Sequence, residues 1–469
     1  MLPPSGSTPD HGVFWLEEAI AEESAPACPP LANAAHCDVC IVGGGYTGLW
    51  SAIEIKRLSP ETKVVLLEAT ACGFGASGRN GGWATSWFDE LDRLTERFGV
   101  EQGLKLADRS SDSIRRIGAI AEEHGFDCDF RPEGSLWVAT SEAHDPAVAE
   151  VARTAREHGR GHLIREIDAD EAFEMTGSRV ARGGLLLTDS AAVQPAKLAR
   201  GLRKAALDLG VEIHEGSPMI DFQKTSPVLV RTASGTVEAD RLILASNVWM
   251  ARMRELRRAV FVVGTQIVLT EPLGDRVGNP WKDGLLFGDA RMFVHYAQVT
   301  TGGRIAFGRG GGAISAGGRV IPKHFVDPGT SAIVADDFRS WFPQYRNVRL
   351  THTWGGAVDR APGHLPFVGE LGEHLNIHYG IGYSGNGVAP SNLIGQILAR
   401  RTLGIRDEIS ECALASGPPG YLPPEPLRFA GAAVVRNVIQ RSESREELGH
   451  TPGPAGRLAR RLASFSLPR

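Results

Sequence analysis

The chain has 469 residues, 42% of them hydrophobic and 22% charged, and a formal net charge of −5. That is more sequence than one small core absorbs, so two domains are expected. The mild acidity gives no reason to expect nucleic acid as a partner, and no apolar run is long enough to span a bilayer.

In chain order, residues 1–35 are rich in Pro and Ala and read as an N-terminal arm anchored by Phe14 and Trp15. The first residues lack a basic stretch followed by an apolar core, so no secretory leader is expected and the expected location is the cytoplasm. The six cysteines (Cys28, Cys37, Cys40, Cys72, Cys128, Cys412) are scattered and suggest no disulfide framework. Cys37 and Cys40 form C-x-x-C on a predicted strand without a second ligand pair, so no metal site is expected.

That strand, around Val39, Ile41 and Val42, runs into Gly43, Gly45 and Gly48, a G-x-G-x-x-G. The first glycine permits the tight turn, the second lets a pyrophosphate approach the backbone, and the third lets the helix pack closely on the strand. Tyr46 and Thr47 open that helix, whose free N–H groups face the anion. A second buried strand, "KVVLLEA", ends in Glu68, 20 residues after Gly48, where a ribose hydroxyl would be held. The expectation is a dinucleotide site.

A glycine-dense loop, "ACGFGASGRNGGWATSW", follows from Ala71. Within it, Ser77, Gly78, Arg79, Asn80, Gly81 and Gly82 are expected near the cofactor, with Arg79 offsetting phosphate charge. Residues 89–162 alternate helical stretches with strands such as "GSLWVAT". A helix is predicted after Gln194 with Pro195 in its first turn. "VEADRLILASNVWM" closes the unit with Ala245 and Ser246 after its strand. From about 254 to 352, "AVFVVGTQIVLT", "RMFVHYAQVT" and "GRIAFGRGGG" read as an antiparallel sheet. The last glycine cluster, "GIGYSGNGVAP", precedes a helix near Ser391, and the tail from Arg428 reads as a packed amphipathic helix with a charged outer face.

"IVGGGYTGLW", "GFGASGRNGGW" and "GIGYSGNGVAPSNLIGQILA" together resemble the D-amino-acid-oxidase-like FAD-dependent oxidoreductases, most nearly the γ-glutamylputrescine-oxidase-like amine oxidoreductases. The resemblance implies an α/β fold in which a Rossmann-like FAD-binding domain (36–88, 163–253 and 353–469) is interleaved with an α+β substrate domain on an antiparallel sheet (89–162 and 254–352). It places Gly382, Tyr383, Ser384, Gly385, Gly387 and Val388 beside the pyrimidine end of the flavin, where a helix N-terminus stabilises the reduced anion. Asn386 would lie near the ring edge. Relatives with a linked flavin carry His in the first glycine loop or Cys near the last crossing; here Arg79 or Asn80 occupies the first place, and no Cys lies between Cys128 and Cys412. FAD is therefore expected to be non-covalent.

Glycine-oxidase-like relatives bind the substrate carboxylate through an arginine, and Val358 falls at that place here, which favours an amine. Arg360 could reach the same space or pair with Asp359. Candidate catalytic side chains are Tyr296, His295, Trp354, Asn386 and Arg360, with Arg309 and His364 near the presumed pocket and Trp354 as a pocket wall. The expected activity is oxidation of a C–N bond by hydride transfer to flavin N5, giving an imine that hydrolyses, with oxygen or an electron carrier as acceptor. An amino acid oxidase or dehydrogenase of the same fold, or a non-catalytic flavin-binding redox sensor, are the alternatives.

Overall fold

The computed structural model describes residues 12–23, 26–278 and 281–463. The arm therefore falls partly outside the described residues. Its described part forms the helix Phe14–Glu22, whose Trp15 is buried against Ile267, Ala306 and Trp354.

The Val- and Ile-rich segments that flank the first glycine motif form the centre of an eight-stranded sheet. Ala34–Val42 lies between Thr236–Leu244 and Val64–Leu67, parallel to both. Glu212–His214 extends the sheet on one side, and Ile377–Ile381 followed by Phe367–Leu371 on the other. The near-continuous apolar runs follow from helices covering both faces. Tyr46–Leu58, Pro195–Asp208 and Pro390–Thr402 pack together on one face, in a core that includes Trp50, Leu198 and Ile394.

A second eight-stranded sheet runs in the order Leu350–Arg360, Phe261–Thr270, Ile305–Arg309, His295–Val299, Leu286–Asp289, Ser135–Ala139, Gly183–Leu187 and Ile164–Asp168. All its pairs are antiparallel except Leu286–Asp289 with Ser135–Ala139. Phe287, Phe307, Phe338, Trp341 and Phe342 fill its core beneath the helix Pro328–Trp341.

Four segments sit elsewhere than their predicted domains. Gly183–Leu187 pairs with Ser135–Ala139 in the second sheet, and Ile164–Asp168 pairs with Gly183–Leu187 at its edge. Leu350–Arg360 pairs along its length with Phe261–Thr270 in that same sheet. The C-terminal helix Leu427–Glu446 also joins this side: Arg436 Nε donates to the carbonyls of Gly311 and Gly312, and Glu443 accepts from the Phe293 amide. Among the described residues no helix is long and apolar enough to cross a membrane.

Candidate functional site

Two cavities meet between the sheets. The first, about 440 Å³, runs along the C-terminal ends of the parallel strands, from Glu68 past Gly43, Gly45 and Ser77 to Ser246 and Tyr383. The three predicted glycines have distinct jobs. Gly43 has φ +115°, and a Cβ there would lie 2.6 Å from the Ala245 carbonyl oxygen. A Cβ on Gly48 would stand 1.9 Å from the Gly43 carbonyl oxygen, so this glycine sets how closely helix Tyr46–Leu58 lies on its strand. A Cβ on Gly45 would meet only the Ser77 side chain, its hydroxyl at 2.9 Å, on the cavity floor.

Backbone donors are placed for an anion. The amides of Gly43, Gly44 and Tyr46 are taken by Leu67 O, Glu68 Oε2 and Ser77 Oγ. Among the described residues, those of Gly45, Thr47 and Gly48 have no acceptor in the chain. Glu68 also accepts from the Thr70 amide at 2.9 Å; burial raises its carboxyl pKa, against these two N–H bonds. The Tyr46 and Thr47 side chains brace the cradle: Tyr46 donates to Pro195 O at 2.8 Å, and Thr47 shares a 2.5 Å hydrogen bond with Tyr383. Asn80 ties its loop through Ala76 O, Ser77 O and the Gly82 amide, and Gln298 donates to Gly81 O. Gly78 packs on Gly73, and Ala245 and Ser246 line the cavity.

At the far end, the last glycine loop is organised by Asp359, which the sequence offered only as a partner for Arg360. Its Oδ2 accepts from the Gly382 amide at 2.5 Å and the Tyr383 amide at 3.2 Å, and its carbonyl accepts from Ser384 N. Burial pushes its carboxyl up to about 6. The Gly382, Tyr383 and Ser384 amides are thus spent on the loop; those of Gly385, Gly387 and Val388 have no acceptor among the described residues. A dinucleotide cofactor fits this donor set: open amides at two helix starts, an acid at the ribose place, and a glycine floor that a side chain would fill.

The second cavity, about 640 Å³, shares Ala76, Asn80, Ala357, Val358, Gly385 and Val388 with the first. Gly356, Val358 and Arg360 alternate on one face of their strand and all line it. Tyr296 and Asn386 also line it; Thr85 donates to Asn386 Oδ1 at 3.3 Å. Burial pushes the Tyr296 phenol up to about 12, so it is a donor rather than a base.

Arg79 lines this second cavity and not the first, which corrects its predicted phosphate role. Its guanidinium sits between the Phe74 and Phe325 rings, 4.9 Å from each, donating to Phe74 O and Gly355 O. Burial lowers its pKa to about 10.

Two predicted catalytic residues lie off the cavity. His295 precedes Tyr296 on a strand, so the pleat turns it the other way. It is fully buried between Asp289 (2.9 Å from Nδ1) and Asp337 (3.0 Å from Nε2), and Arg309 completes the cluster on Asp337. Burial opposes its charge, but the two carboxylates raise its pKa overall. Trp354 is core filler rather than a wall: its indole donates to Arg79 O and meets Trp15 edge-on.

Arg360 does not pair with Asp359, which lies on the opposite face of the strand. It contacts His364 Nε2 at 3.0 Å and Ser384 O at 3.4 Å, while His364 Nδ1 faces Arg93, itself paired with Glu90. Burial and the two guanidinium groups push the His364 imidazole down to about 2, so it is neutral. Asp89 is a cavity residue that sequence reasoning missed. Its Oδ1 is buried without a hydrogen-bond partner, and burial and the adjacent Glu90 push its carboxyl up to about 7. Among the described residues no cluster of three His, Cys, Asp or Glu side chains is placed to hold a metal ion.

Residues 38–401 match the family model "DAO: FAD dependent oxidoreductase". The chain is 31% identical over 368 residues to the gamma-glutamylputrescine oxidoreductase of Escherichia coli K12, covering 77% of this chain and 83% of that protein. It is 30% identical over 390 residues to a "Probable oxidoreductase OrdL" of Haemophilus influenzae, covering 81% and 86%. Glycine oxidase from Geobacillus kaustophilus shares the fold, with a TM-score of 0.66 at 22% identity over 81% of this chain and 99% of that chain.

Proposed function

Since this chain belongs to the DAO family of FAD-dependent oxidoreductases, we propose that it oxidises the C–N bond of a small-molecule amine. FAD, when bound, accepts the hydride from the carbon beside nitrogen. The chain's residues bind, orient and deprotonate. The open amides of Gly45 and Thr47 would hold the pyrophosphate and Glu68 the ribose, while the open amides of Gly385, Gly387 and Val388 would serve the ring.

The observation that carries an amine over an α-amino acid is Val358 at the junction of the two cavities. The nearby guanidinium groups are committed: Arg360 to His364 and Ser384 O, Arg79 to Phe74 O and Gly355 O. Similarity to a gamma-glutamylputrescine oxidoreductase supports the same reading. An ammonium must lose its proton before its carbon can release hydride, and Asp89 offers an unpartnered carboxylate oxygen for that proton. The resulting imine hydrolyses in water.

Arg360 on the cavity wall is what favours the second reading, an amino acid oxidase. Anaerobic flavin bleaching by paired amines and α-amino acids separates the two. The amine of each pair is expected to bleach faster, in wild type and in Arg360→Met alike. A wild-type preference for the amino acid that Arg360→Met abolishes replaces the amine reading with the second one. Binding of both classes without bleaching would mark a redox sensor instead.

A further inference from the structure

We propose that the substrate's far end is a bulky or long apolar group, so that the cavity selects hydrophobic monoamines over short or dicationic ones. This rests on the amine reading above and specifies its substrate class.

The cavity is far larger than a small amine needs. Beyond the residues it shares with the cofactor cleft, its walls are Trp83, Trp137, Phe261, Phe293 and Ile314. Its roof is one face of the helix Leu427–Glu446. Leu427, Gly431, Val435 and Ile439 recur every four residues, which puts them in one row along the helix. Leu462 of the next helix, Pro454–Ala463, adds to the roof. At the mouth the apolar surface continues into solvent: Leu427 is 68% exposed, Leu462 55% and Val294 36%. Three apolar side chains left in water around one opening are what a greasy ligand would cover.

The charges that line the cavity do not offer a second site for a cation. Arg428 is bound to Glu425 and to the carbonyls of Arg257 and Val260. Arg436 is bound to Gly311 O and Gly312 O, and Glu90 is paired with Arg93. With Arg79 and Arg360, cations outnumber carboxylates along the lining. Among the described residues Asp89 is the lining carboxylate with an unpartnered oxygen, and it serves the reacting nitrogen, so a distal ammonium would enter an apolar, cation-rimmed space and lose its water without a second free partner. A distal alkyl chain would gain by burial, by about fourfold in affinity for each methylene, the equivalent of about 0.8 kcal/mol.

The test uses holoenzyme in two states. Binding of n-butylamine, n-hexylamine, n-octylamine and 1,8-diaminooctane is measured by calorimetry on holoenzyme reduced beforehand with dithionite, which binds without turnover. Bleaching by the same amines and by α-amino acids is followed on oxidised, anaerobic holoenzyme. Kd is expected to tighten at least a hundredfold from butyl to octyl, and 1,8-diaminooctane to bind at least tenfold more weakly than octylamine. In Gly431→Leu, octylamine is expected to lose at least fivefold more affinity than butylamine. A Cβ at Gly431 meets no atom within 4 Å, and a thermal melt checks that the larger side chain leaves the fold intact. A flat series, a tighter diamine, or an equal loss for both lengths in Gly431→Leu would overturn the apolar assignment. If the gradient appears but only α-amino acids bleach the flavin, the apolar cavity stands and the amine reading falls. If short or dicationic amines bind and bleach best, the amine reading stands and this inference falls.

Discussion

Gly45 and Gly48 are three residues apart in one motif, yet the structure assigns them different costs on substitution. A Cβ on Gly48 would sit 1.9 Å from the Gly43 carbonyl oxygen, where carbon–oxygen contacts are ordinarily about 3.3 Å or more. Neither group is a flexible side chain, so Gly48→Ala must push the helix Tyr46–Leu58 about 1.4 Å off its strand. Overpacking of this kind costs about 3 kcal/mol. With an unfolding entropy of roughly 2.1 cal/mol/K per residue, that lowers the apoprotein Tm by about 3 °C. A Cβ on Gly45 meets only the Ser77 side chain, whose hydroxyl can rotate away at the loss of its bond from the Tyr46 amide, about 1 kcal/mol. The methyl group stays on the floor of the cofactor cleft, so Gly45→Ala is expected to bind FAD at least tenfold more weakly. FAD at a hundred times its Kd stabilises by about 2.7 kcal/mol, and a tenfold weaker site leaves about 1.4 kcal/mol. Thermal melts of the apoproteins with and without FAD, and fluorescence titration of FAD, measure both quantities. Gly45→Ala should melt within about 1 °C of wild type without FAD and show half the FAD-dependent rise. Gly45→Ala that binds FAD with wild-type affinity would refute the placement of the cradle.

Acid or heat should release FAD into the supernatant, since Arg79 and Asn80 occupy the loop place where a linking His sits in relatives; colour that stays with the precipitate would contradict non-covalent binding. Asp89→Asn should remove the limb of the anaerobic reduction rate that rises with pH near 7, leaving the amine's own ionisation at higher pH; an unchanged profile would exclude Asp89 as the proton acceptor. Burial works against the Glu446 carboxylate, but the His144 imidazole 3.6 Å away and hydrogen bonds from Ser442 and Arg460 hold its pKa down at about 2. Its folded value is below the unfolded one, so its contribution is complete above about pH 4.5 and fades as the pH falls towards 2. Hydrogen-exchange protection factors across residues 427–463 should fall over that window in wild type, and be low and pH-independent there in Glu446→Gln.

The cofactor cradle was legible because its chemistry is local. A strand, three glycines, a helix start and an acid all fall between Cys37 and Glu68, and each choice reflects a backbone constraint that only that segment must meet. The substrate side was less legible because side-chain direction there depends on pairing partners far along the chain. His295 and Tyr296 are adjacent and equally polar in sequence, and only the pleat of their sheet sends one into a buried aspartate cluster and the other to the cavity. Val358 and Arg360 could be counted to the cavity from the motif, but Asp359 between them gave no sign that it would order the last glycine loop. The C-terminal helix reads as a packed amphipathic surface element, and its role as a cavity roof appears only once the second sheet is beneath it.

The pairing of the first sheet also sets a timetable for biosynthesis. Ala34–Val42 needs Thr236–Leu244 as its neighbour, and that strand in turn needs Ile377–Ile381. At 5–20 residues per second, a ribosome takes roughly 20–70 s to travel from the first of these strands to the last. Through that interval the glycine cradle emerges with one sheet edge unpaired and without the loop that closes the far end of the cleft. Cofactor loading therefore belongs after that last glycine loop has emerged, and the nascent protein must be shielded from strand-to-strand association for most of its synthesis.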